Sequence, residues 1–334
     1  MILVTGGSGF LGAHLLAELT QKHERIRALY RDQKGIEKAR EVFRYSFKQE
    51  APLFDKIDWI QGDLNDPIGL AEALNGITEV YHVAGLINFE WRRYPELKKT
   101  NTVGTANLVN CCLETKVKKL CYISSIAALG QNTNTQEQDP FDPPSFKDPY
   151  ALTKYGGELE VWRGAQEGLQ VIILRPGVIL GEGYWRSGSG FLLKFVSTEP
   201  TWYPPGGTGF VDVKDVVAFA VALMEGAVHN QAFTLVGYNL TYLEVLQKIG
   251  HALGSKKVPK RKIPLWVGLI GHYLDFLRAW ITSSAQRLPK AYIHAMFEPS
   301  TYDGTPVTKL VPLTYTEIDK TLNRIGQLAP YKIN

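Results

Sequence analysis

A tyrosine and a lysine four residues apart can move a proton together if a helix holds them on one face. The chain has this spacing three times, at Tyr30/Lys34, Tyr94/Lys98 and Tyr150/Lys154, and spacing alone does not choose among them. A free phenol titrates near ~10 and is a poor proton carrier at neutral pH; a nearby cation favours its phenolate. Tyr150 has the best local setting. In "SFKDPYALTKYGGELE" (145–160), Asp148 and Pro149 read as N-cap and first helical residue. Tyr150 then falls in the first turn and Lys154 one turn later. Tyr30 instead closes an apolar run, with Lys34 in the loop beyond.

The elements that must position this pair alternate. Short apolar runs at Ile2–Thr5, Ile26–Tyr30, Ile57–Gln61, Val80–Ala84, Lys119–Ser124 and Val171–Leu174 read as strands. Helical patterns lie between them at Leu11–Lys22, Gly35–Phe47, Pro67–Leu74, Tyr94–Glu114 and Pro149–Glu167. This order predicts an α/β fold, a doubly wound parallel sheet with helices on both faces. Most of the strands read as continuous apolar runs rather than alternating ones, as strands covered on both faces do. The rhythm stops after Arg175. Segments such as "GEGYWRSGSG" and "YPPGGTG" mix with helices at Lys214–Glu225 and Tyr242–Leu253. Residues 1–175 are expected to form the sheet domain, with some later segments returning to it. Residues 176–334 are expected to form mainly a smaller, interleaved lobe. The polar, proline-rich stretch 131–145 reads as a surface loop before the Tyr150 helix.

The opening "ILVTGGSGFLG" places Gly6, Gly9 and Gly12 after the first strand, where a helix begins. Glycine permits the tight turn and close approach of a pyrophosphate, whose charge meets the helix N-terminus. At the first strand–helix turn of an alternating chain this marks a dinucleotide site of the Rossmann type. The second strand ends "LYRDQ". Arg31 there suits the 2′-phosphate of NADP(H), which we favour. Asp32 beside it keeps NAD(H) open. "GDL" (62–64) ends the third strand with Asp63 placed for an adenine edge, and "VAG" (83–85) ends the fourth with Ala84 and Gly85, small enough to admit a ribose.

Bulk properties exclude several classes. The net charge is +4 over 334 residues, with basic and acidic residues interspersed, which argues against nucleic acid as partner. Cys111, Cys112 and Cys121 offer neither metal-ligand spacing nor a disulfide framework, so no metal is expected and a reducing, cytoplasmic location is. "MILVTGG" lacks the charged start of a signal peptide. The apolar segment 263–282 carries His272, Asp275 and Arg278, costly at the centre of a bilayer. It reads as an amphipathic helix packed on the protein, with a membrane-surface or lipid-substrate face as the alternative.

With these residues assembled, the chain resembles the extended branch of the short-chain dehydrogenase/reductase family. The motifs are "TGGSGFLG" (5–12), "GDL", "YHVAG" (81–85), "NTVGT" (101–105), "YISS" (122–125), "YALTK" (150–154), "LRPGVILG" (174–181) and "GFVDVKDVV" (209–217), in the family's order. The resemblance implies a Ser-Tyr-Lys site at Ser125, Tyr150 and Lys154, which separates this pair from the other two. It also implies cofactor contacts from Gly6, Gly9, Phe10, Leu11, Gly12, Arg31, Asp63, Leu64, Ala84, Gly85, Pro176 and Val178, and from Tyr150 and Lys154 themselves. Asn101 matches the family's asparagine motif, with helix packing an equal reading. A homodimer through the Tyr94–Glu114 and Pro149–Glu167 helices occurs in the family, as do monomers.

Departures from the pattern narrow the reaction. Sugar-nucleotide dehydratases of the family carry an Asp-Glu pair where this chain has Ile126 and Ala127, which do no acid–base work. Sugar-nucleotide enzymes usually have an asparagine where Val178 stands. "RPGVILG" and "YRD" look more like the dihydroflavonol-reductase and hydroxysteroid-dehydrogenase-like subgroup. The expectation is a small-molecule oxidoreductase for a moderately apolar carbonyl or secondary alcohol. The alternatives are an NDP-sugar epimerase and a non-catalytic dinucleotide-binding protein; an intact serine, tyrosine and lysine argues against the latter. Tyr184, Trp185, Phe191, Trp202 and Tyr203 are candidates to line the substrate pocket.

Overall fold

Apolar runs without polar alternation assemble here into a sheet whose faces are both covered. The computed structural model describes residues 1–130, 145–186, 188–255, 257–282, 293 and 296–331. Seven parallel strands form the main sheet: β1 (Ile2–Thr5), β2 (Ile26–Tyr30), β3 (Ile57–Gln61), β4 (Glu79–His82), β5 (Lys119–Ile123), β6 (Gln170–Pro176) and, from much later in the chain, β10 (Gln231–Leu235). Their order is β10-β6-β5-β4-β1-β2-β3. Every residue of β5 is buried. It pairs with β6 from Lys119↔Gln170 to Ile123↔Leu174. Chain order reverses between β1 and β4, the switch point where ligands of such sheets sit outside the strands' carboxyl ends.

Helices cover the two faces. On one side α1 (Phe10–Lys22), α2 (Gln33–Ser46), the short α3 (Ala51–Phe54) and α9 (Val213–Glu225) pack against the sheet, with Leu15, Leu16, Phe43, Phe54, Val216 and Phe219 buried among them. On the other, α4 (Pro67–Ala73), α6 (Gly104–Glu114) and α7 (Pro149–Gln166) bury Leu70, Leu108, Val109 and Val161. Asp148 caps α7 as its sequence indicates, its carboxylate accepting from the Ala151 N–H at 2.8 Å.

The expected single helix over Tyr94–Glu114 is interrupted. A short turn α5 (Tyr94–Leu97) runs into a π-helical segment, Lys98–Val103, before α6. The cause is Asn101, which is buried. Its Oδ1 accepts from the Leu86 N–H at 2.8 Å, while its Nδ2 donates to the Leu86 carbonyl at 2.9 Å and to Thr153 Oγ1 at 3.1 Å. Wide turns of this kind concentrate at functional sites.

After β6 the chain enters a small sheet, β11-β9-β7, built from β7 (Val178–Leu180), β9 (Gly207–Asp212) and β11 (Tyr238–Thr241). The helices α8 (Gly190–Ser197), α10 (Tyr242–Ala252) and α12 (Ile318–Leu328) bury Leu193, Val245, Ile249, Leu322 and Ile325 around it. Arg324 on α12 reaches Glu182 at 3.1 Å and Asp212 at 2.8 Å. Thr321 donates to the same Asp212 at 2.6 Å. These bonds tie the C-terminal helix to the end of β9.

The segment 263–282 departs from expectation. Its helix, α11 (Leu265–Ile281), presents Leu265, Trp266, Val267, Ile270, Tyr273, Leu274, Phe276, Leu277, Trp280 and Ile281 to solvent, and only Asp275 and Ala279 are buried. It is not packed on the protein by its apolar face. Among the described residues no helix is long and apolar enough to cross a membrane. The stretch 131–144, read as a surface loop, lies outside the described residues.

Candidate active site

The turn after β1 is shaped by what glycine allows. Gly6 has φ +68°, and a Cβ there would stand 2.6 Å from the Ala84 nitrogen; one on Gly12 would stand 2.2 Å from the Gly6 carbonyl oxygen. Neither position takes a side chain, so the turn closes tightly and begins α1 directly beside the end of β4. Gly9 caps α1 without a side-chain bond. Helix geometry leaves the N–H groups of Phe10, Leu11 and Gly12 outside the helical ladder, where an anion would meet them. Leu11 is buried, and the Phe10 ring packs edge-on against Tyr184 at 5.9 Å.

Tyr184 donates its hydroxyl to the Ser8 carbonyl at 2.7 Å. The sequence groups it with pocket-lining aromatics; instead it braces the glycine turn from the segment between β7 and α8. Trp185 packs with the small-sheet core and donates to Tyr45 at 3.3 Å. Phe191 and Trp202 are exposed, Tyr203 is half-buried, and these aromatics do not converge on one lining.

Around the turn stand the other strand ends. Arg31, just past β2, is exposed. The Asp32 carboxylate is engaged as the cap of α2, accepting from the Lys34 N–H at 3.1 Å. Past β3, Asp63 accepts from the backbone N–H and the side-chain amide of Asn65, both at 2.9 Å. Those two bonds hold its carboxyl below the usual range, with Lys99 and Arg31 adding a smaller pull. Leu64 is buried against Gly104. Past β4, the Ala84 N–H donates to Thr5 at 3.3 Å, and a Cβ on Gly85 would meet only Asn101 Oδ1 at 3.5 Å and Lys154 Nζ at 3.8 Å. Pro176 ends β6, and Val178 opens β7 where the chain leaves the large sheet for the small one.

Ser125 and Tyr150 come together at the carboxyl end of β5, close enough for the serine hydroxyl to ease the phenol. Ser125 also accepts from the Ala127 N–H at 3.2 Å. Lys154 is buried, its Nζ donating to the Ile123 carbonyl at 2.7 Å and lying 4.2 Å above the Tyr122 ring. Burial pulls this ammonium down to about 7, and Glu158 opposes the fall. Burial pushes the Tyr150 phenol up to about 12, which the neighbouring Ser125 hydroxyl only partly offsets. Without a nicotinamide ring beside it, the phenol therefore lies above its ordinary value.

Three further residues shape the site. Glu158, one turn beyond Lys154, is buried against Arg175 of β6, with Nε to Oε1 at 2.9 Å. Its i+4 position on the lysine's own face was the readable signal. Arg175, one residue past the run Val171–Leu174, stood inside the "LRPGVILG" motif with no role assigned to it. Phe89, in the loop after β4, sets its ring 5.6 Å from that of Tyr150, nearly perpendicular. Its signal was an aromatic residue four past a strand-end glycine.

The doubly wound sheet, glycine turn and strand-end polar groups define a dinucleotide-binding α/β protein. The chain belongs to the NAD dependent epimerase/dehydratase family, whose model matches residues 2–235. It is similar to a Synechocystis sp. protein with the provisional name dihydroflavonol 4-reductase, 28% identical over 96% of this chain and 91% of that one. It is also similar to sterol demethylase protein B of Methylococcus capsulatus, 28% identical over 78% of this chain and 77% of that one. The UDP-glucose 4-epimerase of Thermus thermophilus, solved with NAD, shares the fold with TM-score 0.72 at 20% identity, covering 98% of both chains.

Proposed function

We propose that this chain is an NADP(H)-preferring oxidoreductase of a moderately apolar carbonyl or secondary alcohol, with Ser125, Tyr150 and Lys154 as its catalytic residues. The observation carrying this reading is the meeting of Ser125 and Tyr150 at the end of β5, with Lys154 between Ile123 and Gly85. When bound, the dinucleotide would supply hydride to a carbonyl carbon or take it from a carbinol carbon. Backbone groups of Gly6, Gly9, Phe10, Leu11 and Gly12 would hold its pyrophosphate, Asp63 and Leu64 the adenine, Ala84, Gly85 and Lys154 the ribose, and Pro176 and Val178 the nicotinamide end. Arg31 is exposed while Asp32 is occupied as a helix cap, which favours a 2′-phosphate over a 2′-hydroxyl.

Ser125 would donate a hydrogen bond to the substrate oxygen and fix its place. Tyr150, a neutral acid at pH 7, would pass its proton to that oxygen as the C=O double bond becomes an alcohol C–O bond. The reverse step returns the proton to the phenolate. The Phe89 ring beside Tyr150 and the exposed Ile87 support an apolar substrate, and residues 176–334 would supply much of the remaining pocket. Cys111, Cys112 and Cys121 are free thiols, which supports a reducing, cytoplasmic location.

The test is a carbonyl screen read by oxidation of NADPH and NADH, with calorimetry of both cofactors. NADPH should bind more tightly, and Tyr150→Phe should keep that binding while turnover falls about 10²–10⁴-fold. Undiminished turnover would remove Tyr150 from the chemistry, and equal cofactor affinities would remove Arg31 from its role.

A further inference from the structure

Helix α11 turns its bulk the wrong way for a core helix. The stripe facing the protein holds Gly268, Gly271, His272, Asp275 and Ala279, all buried or half-buried. Gly268 lies close enough to the Phe297 ring that a Cβ there would stand 3.0 Å away. The acid on that stripe, Asp275, pairs with Arg278 at 2.8 Å. The opposite face is apolar throughout, and three of its aromatics recur at seven-residue intervals: Trp266 is 64% exposed, Tyr273 65% and Trp280 74%. Soluble monomers rarely expose so continuous an apolar face without a use for it.

The charge beside that face identifies what covers it. Among the described basic residues from 257 to 282, Lys257 pairs with Glu199 at 3.2 Å and Arg278 with Asp275, and the cations beside the helix are Lys260, Arg261 and Lys262. Lys260, Arg261 and Lys262 are exposed immediately before the helix. Arg261 and Lys262 form a short strand, β12, alongside β8 (Trp202–Tyr203), and the Arg261 guanidinium lies 5.8 Å from the exposed Trp202 ring. A bulky apolar helix face with indole and phenol groups, flanked by clustered cations, matches the boundary of a bilayer with anionic headgroups. A protein partner would not need the cations.

We propose that α11 and the basic segment before it seat this protein on an anionic membrane surface, with the helix lying in the interface plane. It does not span. Seventeen residues rise about 26 Å, short of a ~30 Å hydrocarbon core, and the Asp275–Arg278 pair stays against the protein. The seat also connects to the candidate active site. Phe297 packs on Gly268, and the next residue, Glu298, pairs with Lys147 at 2.7 Å, just before the helix that carries Tyr150.

The test is sedimentation of the full chain with phosphatidylcholine vesicles that contain or lack phosphatidylserine, alongside light scattering without lipid. The wild type should pellet with the anionic vesicles. Binding should fall on the order of tenfold on pure phosphatidylcholine, in high salt, or in Lys260→Glu/Lys262→Glu. Trp266→Ser/Trp280→Ser should stay in the supernatant with unchanged far-UV circular dichroism. A wild type that never pellets overturns the proposal, and equal binding to both vesicle types overturns the role of charge. A dimer in light scattering that the tryptophan variant converts to monomer would overturn it too, assigning the face to a second copy. Turnover enters none of these readouts, so the result stands apart from the oxidoreductase assignment.

Discussion

Two helices of this molecule break the rule that apolar residues go inside, and they break it in opposite directions. Helix α7 buries charge: Lys154 and Glu158 sit one turn apart in the interior. Helix α11 exposes apolar bulk. In α7 each buried charge has a partner, Lys154 the Ile123 carbonyl and Glu158 the Arg175 guanidinium. Desolvating a charge is tolerable only on those terms. In α11 the apolar residues have no such partner among the described residues. The lesson is that a violation answered within the fold marks a built interior site, whereas one left open marks a face directed at something outside. Both can be broken deliberately.

The largest effect is expected at Glu158. Removing one member of a buried ion pair leaves the other charge uncompensated, at about 3–5 kcal/mol. Glu158→Gln should lower unfolding stability by about 3 kcal/mol in urea denaturation. It should also let the Lys154 ammonium fall further, because Glu158 is the group that resists that fall. A change below about 0.5 kcal/mol would mean the pair contributes no more than an exposed one and would remove the contrast with α11.

Lys154 itself gives a pH signature. Its folded value of about 7 lies below its ordinary 10.5. Between these limits the unfolded chain holds more protons, so stability rises with pH there. The cost of burying the ammonium is fully present below about 7 and is relieved as pH climbs toward 10.5. Lys154→Met escapes that cost, so its melting temperature should exceed the wild type's most at about pH 6 and by less at about pH 9. A difference that does not change with pH would place the lysine in a more solvated setting.

Much of this was legible in the sequence, for identifiable reasons. The first six strands of the main sheet were readable within a residue or two at most ends because strands covered on both faces cannot alternate. Strand β10 was not identified: "QAFTL" is short, and its partner β6 lies some sixty residues earlier. The π-helical break also escaped, because Asn101 makes it by clamping Leu86 from a distance while the local pattern stays helical. The positions of Tyr150 and Lys154 followed from a cap and a turn. The titration of the phenol did not, since it depends on how much water the surrounding fold excludes. Helix α11 misled because composition says how apolar a helix is and not which way it faces. One clue was present, the small and polar residues at 268, 271, 272, 275 and 279, which form a single stripe too slight to fill a core.

That stripe yields the smallest effect and the sharpest contrast. Trp280 is 74% exposed and its neighbour Ala279 only 3%. If α11 rests on the protein by its small residues, Trp280→Ala should change stability by no more than about 0.5 kcal/mol, as surface substitutions do. A buried tryptophan truncated in this way costs about 3–5 kcal/mol. Ala279→Leu, one position earlier, forces extra methylenes into a closed contact and should cost about 1–3 kcal/mol. Urea denaturation of the two variants without lipid reads both values. The reverse order, with Trp280 costly and Ala279 tolerant, would mean that α11 packs by its apolar face and would end both the contrast with α7 and the case for a membrane seat.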